Sequence, residues 1–276
     1  MSRTMIQAAV TMKQLQQKLD VIGHNMANSQ TTGYKHRQAE FSSLLFQQMN
    51  NMSDPANAQG RSTPDGIRIG SGAKLGGINI DLSPGAIKET ERALDIALLE
   101  KNHLLQYTVT ENGVTETRYT RDGALYLSPN ATNTSMLLTT KDGHPVIGEN
   151  GPIEIAAGFD DISIAPNGQI TVSRQGVVEN VGALSVVEAV RPRLLEATGE
   201  NGFRLPNDNN LGYNPAEVLQ AVDATGDLVR SGSLEHSNVD MGKQMTDLVM
   251  TQRAYQFNAR TISMTDQMSG LINQLR

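Results

Sequence analysis

Histidine is the side chain best placed to ligate a metal or move a proton near neutral pH, and the chain has five: His24, His36, His103, His144 and His236. No two stand at the i, i+4 spacing that would put two metal ligands on one helix face. His24 sits beside an apolar seam in a Gln- and Asn-rich stretch and reads as a surface or interface histidine. There are no cysteines, which excludes a thiol nucleophile, a disulfide framework and Cys-based metal sites. Asp160-Asp161 pairs two carboxylates, but consecutive strand residues point to opposite faces, so the pair reads as a turn or a solvated edge. Gly70, Gly72 and Gly76 give G-x-G-x-x-x-G, one residue longer than a dinucleotide fingerprint. Pro84-Gly85 then arrives too early for the helix such a loop must open. An extended Gly-rich strand with close backbone contacts is the better reading. No G-x-S-x-G elbow and no Walker loop occurs. No catalytic, cofactor-binding or metal-binding residue is assigned, and the chain is read as non-enzymatic.

Bulk properties narrow the remaining classes. The chain has 276 residues, a net charge of −6 and a pI of about 5.4. A general nucleic-acid coat needs clustered Lys and Arg to displace phosphate counterions, so no nucleic-acid partner is expected. No apolar run reaches the ~20 residues of a membrane helix, so no direct membrane insertion is expected. The N-terminus does not read as a cleaved secretory signal, because Lys13, Gln14, Gln16 and Gln17 interrupt it early. Trp is absent, with only 5 Phe and 6 Tyr, which favours slender packing over one thick core.

The elements that must carry the function lie at the two ends. Met5, Ala8, Met12, Leu15, Leu19, Ile22 and Met26 recur at alternating 3- and 4-residue steps, the a/d seam of a coiled coil. Asn28 to Gly33 then supplies turn formers that stop the helix. From Asn238 onward, Met241, Met245, Leu248, Tyr255, Ala259 and Ile262 keep a similar stride. The stripe then slips to Met264, Met268, Leu271 and Leu275, as a stutter in the repeat would produce. Neither helix can bury its seam alone. They pair with each other, or with other subunits as well.

Between them, Asn-Gly and Asp-Gly pairs recur at 112, 122, 142, 150, 167 and 201, the strongest short-range hairpin signal. Short β-prone runs separate them, at 104–110, 117–120, 136–140, 153–155, 162–164, 169–173 and 183–187. Gly123 and Gly143 are expected at positive φ in these turns. The fold class expected is α+β: N- and C-terminal heptad-patterned helices forming a discontinuous coiled-coil-like segment, around a central, mainly antiparallel β domain. The divisions expected are an N-terminal helix segment over 1–35, an extended connector with a polar insertion over 36–84, the β domain over 85–230 and a C-terminal helix segment over 231–276.

Several motifs then coincide. Asn25-Met26-Ala27-Asn28-Ser29-Gln30-Thr31-Thr32-Gly33-Tyr34-Lys35 resembles the N-terminal signature of the bacterial flagellar rod and hook family, N-x-[LI]-A-N-x-x-T-x-G-[FY]-K. Ser237-Asn238-Val239-Asp240, continuing through Gln252-Arg253-Ala254-Tyr255, resembles its C-terminal signature. Tyr119-Thr120-Arg121-Asp122-Gly123 matches the family's Y-T-R-D-G turn, and Leu138 to Val146 the hairpin after it. Within the family, the run Glu40 to Gln47, a polar insertion and then Gly66 to Gly72 resemble the distal rod subfamily. The family's D-[LV]-A-I-x-G-x-G-F-F appears only as Leu94 to His103, without its Gly and Phe pairs.

The resemblance implies a structural subunit of the flagellar rod that assembles with itself into a helical polymer, a tubular drive shaft carrying motor torque to the hook. It implies neighbouring rod and hook proteins and the flagellar type III export apparatus as partners, and a place in the basal body within the cell envelope. A Cys-free chain is consistent with export in an unfolded state. Another axial protein of the family, a proximal rod or hook-type paralogue, is the alternative. A secreted β-rich adhesin explains the middle of the chain but neither end.

Overall fold

The N-terminal apolar repeat forms one helix, Arg3–Ala27, and the C-terminal repeat another, Met241–Gln274. They belong to a computed structural model that describes residues 3–43, 46–49, 67–70, 73–111, 113–130, 134–199, 201–206, 214–223 and 226–274. The polar insertion over 50–66, with Leu44, Leu45, Ser71, Gly72, Asn112 and Leu275, lies outside these residues.

The chain is α+β and divides into two units. The first comprises residues 1–26, 37–79 and 241–276. Its helices are joined by two strand pairs from the connector: Arg37–Ser43 with Ala73–Ile80, and Phe46–Met49 antiparallel to Ile67–Gly70. Asn25 fixes where the first helix hands over to the first strand. Its amide donates to the Arg37 carbonyl at 2.8 Å and its side-chain carbonyl accepts from the Arg37 N–H at 3.0 Å. One side chain thus completes a strand-like bonding pair at a buried position, where an unmade hydrogen bond would cost about 1–3 kcal/mol.

The second unit comprises residues 27–36 and 80–240. Its spine is a six-stranded antiparallel sheet in the order Glu196–Ala197, Gly202–Arg204, Val114–Thr120, His103–Glu111, Val186–Ala189, Leu219–Ala221. Side chains alternate across a strand. Leu104 and Val187 accordingly enter one apolar cluster, with Leu82, Tyr119, Ala189, Phe203 and Val218. Leu105 and Val186 enter the other, with Leu125, Leu138, Ile155, Ile164, Ile170 and Leu184. The sheet is therefore covered on both faces. Two three-stranded sheets build the larger cluster: Glu154–Ala156, Ser135–Thr140 and Leu125–Pro129; and Asp161–Ile164, Gln169–Arg174 and Val177–Ala183. The segment that lacks the family's Gly and Phe pairs forms the buried strand Ile96–Leu98, followed by a turn with Asn102 at φ 65°.

Gly143, Gly113 and Gly168 have positive φ in their hairpin turns, at 85°, 79° and 84°. Gly123 does not, which corrects the expectation for that residue. Its requirement is close approach. A Cβ there would stand 1.8 Å from the Ile96 carbonyl oxygen, which belongs to the strand whose N–H donates to Gly123 at 3.0 Å. Gly123→Ala must therefore displace backbone inside the core, at a cost of about 1–3 kcal/mol or more. Gly143 has open space around it and carries only the left-handed backbone penalty, about 1–2 kcal/mol. Thermal unfolding should rank Gly123→Ala below Gly143→Ala; the reverse order contradicts the close-approach reading.

Candidate functional site

Two places gather the residues singled out in the sequence: the long faces of the terminal helices, and a buried polar cluster in the β unit.

In the first helix a stripe runs Ala8, Thr11, Met12, Leu15, Lys18, Leu19, Ile22 and Asn25, with Ala8, Ile22 and Asn25 buried and the others half-buried. Met5 and Met26, at its ends, are half-buried too. The exposed face carries Ile6, Ala9, Lys13, Gln16 and Asp20. In the second helix the covered stripe is Gln244, Leu248, Thr251, Tyr255, Asn258, Ile262 and Thr265, with Ala254 and Ala259 half-buried on its flanks. Asn25 of one helix donates to the Gln244 Oε1 of the other at 3.3 Å.

A stripe holding two Thr, an Asn and a Gln looks too polar to bury. Its hydroxyls and amide are satisfied on their own helix. Thr251 donates to the Asp247 carbonyl at 2.7 Å, Thr265 to Thr261 at 2.8 Å and Asn258 to Ala254 at 2.9 Å. This i−4 back-bonding leaves mainly methyl and methylene groups facing outward. Met241, Met245, Met268 and Leu271 are exposed, as are Gln252 and Arg253 of the C-terminal signature. Met264, Met268 and Leu271 occupy a different face of one continuous helix; there is no break at which the stripe shifts.

The buried cluster is built from signature residues. Lys35 Nζ lies 2.5 Å from Glu235 Oε1, and Arg121 Nε lies 2.6 Å from Glu235 Oε2, with all three side chains at most 1 % exposed. Lys35 also donates to the Ser83 carbonyl at 2.7 Å; Arg121 donates to the carbonyls of His103 at 3.0 Å and Leu98 at 3.3 Å. The Gly85 N–H adds a 2.6 Å bond to the carboxylate, so segments remote in sequence converge on Glu235. Gly33 must be glycine on two counts. It has φ 65°, and a Cβ would lie 2.6 Å from the Asp122 nitrogen. Tyr34 is buried beside it in sequence. Around this centre Thr32 donates to Asp122 at 3.0 Å, Lys141 bonds the same carboxylate, and Asn201 donates to the Thr32 carbonyl at 2.9 Å. Thr31 bonds back to Asn28. Asn238 accepts from the His36 N–H at 2.7 Å and donates to the carbonyls of Asp81 and Ser83. Ser237 accepts from the Val239 N–H. Ala27 of the same signature is exposed.

Glu235 is the residue the sequence reading missed. Its only signal is its place two residues before Ser237, in a stretch that must meet two cationic signature residues. Two cations share one carboxylate, so the cluster holds an excess positive charge. Burial, with the Arg121 guanidinium beside it, pushes Lys35 down to about 8 despite Glu235. The folded chain thus releases this proton while the unfolded chain, at the usual lysine value of about 10.4, still holds it. Stability must then rise with pH across roughly 8 to 10 on account of Lys35. Urea midpoints of the native chain relative to Lys35→Met should climb through that window. A difference that is flat or falls with pH contradicts the assignment.

Among the described residues, no group of His, Asp and Glu is arranged to hold a metal, and no helix is long and apolar enough to cross a membrane. The cluster has the form of a clasp: its polar atoms are spent on one another and on backbone.

Three family models match the chain. "Flagella basal body rod protein" covers residues 7–35, "Flagellar hook protein FlgE/F/G D1 domain" covers 106–172, and "Flagellar basal body rod FlgEFG protein C-terminal" covers 230–275. The chain is 41% identical to the flagellar hook-basal body complex protein FlhP of Bacillus subtilis, over the full length of both. It is 31% identical to the flagellar basal-body rod protein FlgG of the same organism, again over the full length of both. It is also 31% identical to FlgF of Escherichia coli, over 92% of this chain and 90% of that one.

Proposed function

This chain belongs to the flagellar basal-body rod and hook family, and from that premise we propose that it is a structural subunit of the flagellar rod, assembling with copies of itself into the shaft between motor and hook. The observation that carries the reading is full-length similarity to basal-body rod proteins, combined with long terminal helices that keep exposed apolar side chains. A protein that acted alone would have reason to cover Phe257, Met264 and Leu271. In the rod, the terminal helices form a discontinuous coiled-coil-like segment that carries contacts between subunits. The apolar positions of the two helices that stay half-buried or exposed, Leu15, Leu19, Met245, Met268 and Leu271 among them, are the surfaces offered for subunit contact. Neighbouring rod and hook subunits meet the ends of the polymer, and the chain reaches its place in the basal body through the flagellar type III export apparatus.

Among rod subunits we assign it to the distal rod. Its identity to FlhP exceeds that to FlgG of the same organism, 41% against 31%, so within that assignment it is read as a FlhP-like subunit. Sedimentation tests self-assembly. Full-length chain should form fast-sedimenting polymer, and a truncation lacking 1–30 and 240–276 should stay monomeric. Polymer formed equally well by the truncation would place assembly in the β unit instead.

A further inference from the structure

We infer that Asn150 is a site of spontaneous modification: in the folded chain its side chain closes on the Gly151 nitrogen, and the residue is converted to aspartate and isoaspartate. Asn-Gly is the pair in which this ring closes most readily, because glycine sets no side chain beside the attacking nitrogen and leaves its backbone free to turn. The chain has four such pairs, starting at Asn112, Asn150, Asn167 and Asn201. Asn112 lies outside the described residues. Glu-Asn-Gly occurs at both 149–151 and 200–202, so local sequence does not rank those two. The fold does.

Asn150 sits with Glu149 at the tip of the two-residue turn that joins Ile147–Gly148 to Gly151–Pro152, and both tip residues are exposed. Among the described residues no hydrogen bond holds the Asn150 side chain. A Cβ placed on Gly151 would meet nothing within 4 Å. The amide can therefore swing onto the following nitrogen with no side-chain hydrogen bond to break, in reach of water. Asn167 is held, because its Oδ1 accepts from the Gln169 N–H at 3.1 Å. Asn201 is held too: its Nδ2 donates to the Thr32 carbonyl at 2.9 Å. A Cβ on Gly202 would run into the Tyr107 hydroxyl and Thr198. Gly168 and Gly202 are both buried. Closing the ring at either place must first break the side chain's hydrogen bond and open packed structure.

The conversion needs no co-reactant but water. The Gly151 nitrogen bonds to Asn150 Cγ, the Cγ–Nδ2 bond breaks, and Nδ2 leaves as ammonia with the proton from the Gly151 nitrogen. Water then opens the resulting succinimide. Opening at Cγ gives aspartate. Opening at the main-chain carbonyl gives isoaspartate, whose main chain runs through Cγ. Either way a new carboxylate appears beside Glu149. The isoaspartate form also lengthens the main chain by one carbon, next to Gly148, where a Cβ would already stand 2.6 Å from the Ala183 carbonyl oxygen. The change accumulates with the time a chain has spent folded, so this hairpin dates it.

The test holds full-length chain in warm, mildly alkaline buffer and follows each site by tandem mass spectrometry of its peptides, with isoaspartate counted by an isoaspartyl methyltransferase. In the folded chain, deamidation at Asn150 should run at least tenfold faster than at Asn167 or Asn201. In chain unfolded by urea, the three rates should converge, because the hydrogen bonds and packing that protect two of the sites are gone. Asn150→Gln should abolish the fast event, since the longer side chain must close a less favoured ring. Folded-state rates at Asn150 no higher than those at Asn167 or Asn201 would overturn the inference. So would a fast event that survives Asn150→Gln, or the same tenfold preference persisting in urea, which would mean that the fold does not select the site.

Discussion

Glu235→Gln should destabilise the β unit by about 3–5 kcal/mol, the usual cost of stranding a buried charge by removing its partner. Glutamine nearly matches glutamate in volume, so no cavity opens and the loss is electrostatic. Lys35 and Arg121 both lose their counter-charge at positions essentially closed to water. Gly85 keeps an acceptor only if the new amide turns its oxygen toward it, and then the amide NH2 faces a guanidinium. The contrast is Glu217→Gln. That carboxylate lies 3.5 Å from Arg191 with both side chains about half exposed, so screening leaves the pair worth about 0–1 kcal/mol. The loss in Glu235→Gln should also shrink as pH rises, because a neutral Lys35 no longer needs the carboxylate. Urea unfolding followed by circular dichroism measures both variants. If Glu235→Gln proves as mild as Glu217→Gln, the cluster does not hold the signature segments together.

The second large effect is on assembly. Leu19→Asp places a carboxylate on a stripe that is half-buried in the single chain and that the proposed polymer would cover further. Desolvating an unpaired carboxylate costs several kcal/mol, and a polymer repeats that defect at every subunit. Polymerisation should fail while the strand signal in circular dichroism is kept, because Leu19 belongs to the helical unit. Gln16→Asp is the matched control, since Gln16 is exposed. Lys18 serves less well than its charge suggests, because it is half-buried at the edge of the stripe. Loss of the strand signal in Leu19→Asp would mean that the helix is part of what holds the β unit folded.

Much of the fold is written in local patterns. Alternation in Ile162-Ser163-Ile164 and in Gln169 to Ser173, with Asn167-Gly168 between, specifies a hairpin, because a one-residue slip in register would take Ile162 and Ile164 off the face that holds Ile170 and Val172. The terminal helices are legible for the same reason: their apolar steps match the helical period. Two features could not be read this way. Glu235 becomes central only because chain segments remote in sequence meet on it, and no local pattern encodes that meeting. The covered stripe of the C-terminal helix is hidden because apolar counting discards Thr251, Asn258 and Thr265, whose polar atoms are satisfied by their own backbone. Counting apolar residues alone merges two faces into one seam with a slip between Ile262 and Met264. The same blindness misplaced the reason for Gly123, since an Asp-Gly pair announces a turn but not the Ile96 carbonyl pressed against it.

The central claim is that this chain is a building block of the rod, and electron microscopy of basal bodies from cells lacking it tests that most directly. Without the chain the rod should end short of the hook and the cells should not swim. Supplying the native chain should restore complete rods, and supplying Leu19→Asp should not. Complete hook-bearing rods in the deletion strain, with the chain missing from wild-type basal bodies, would contradict the account.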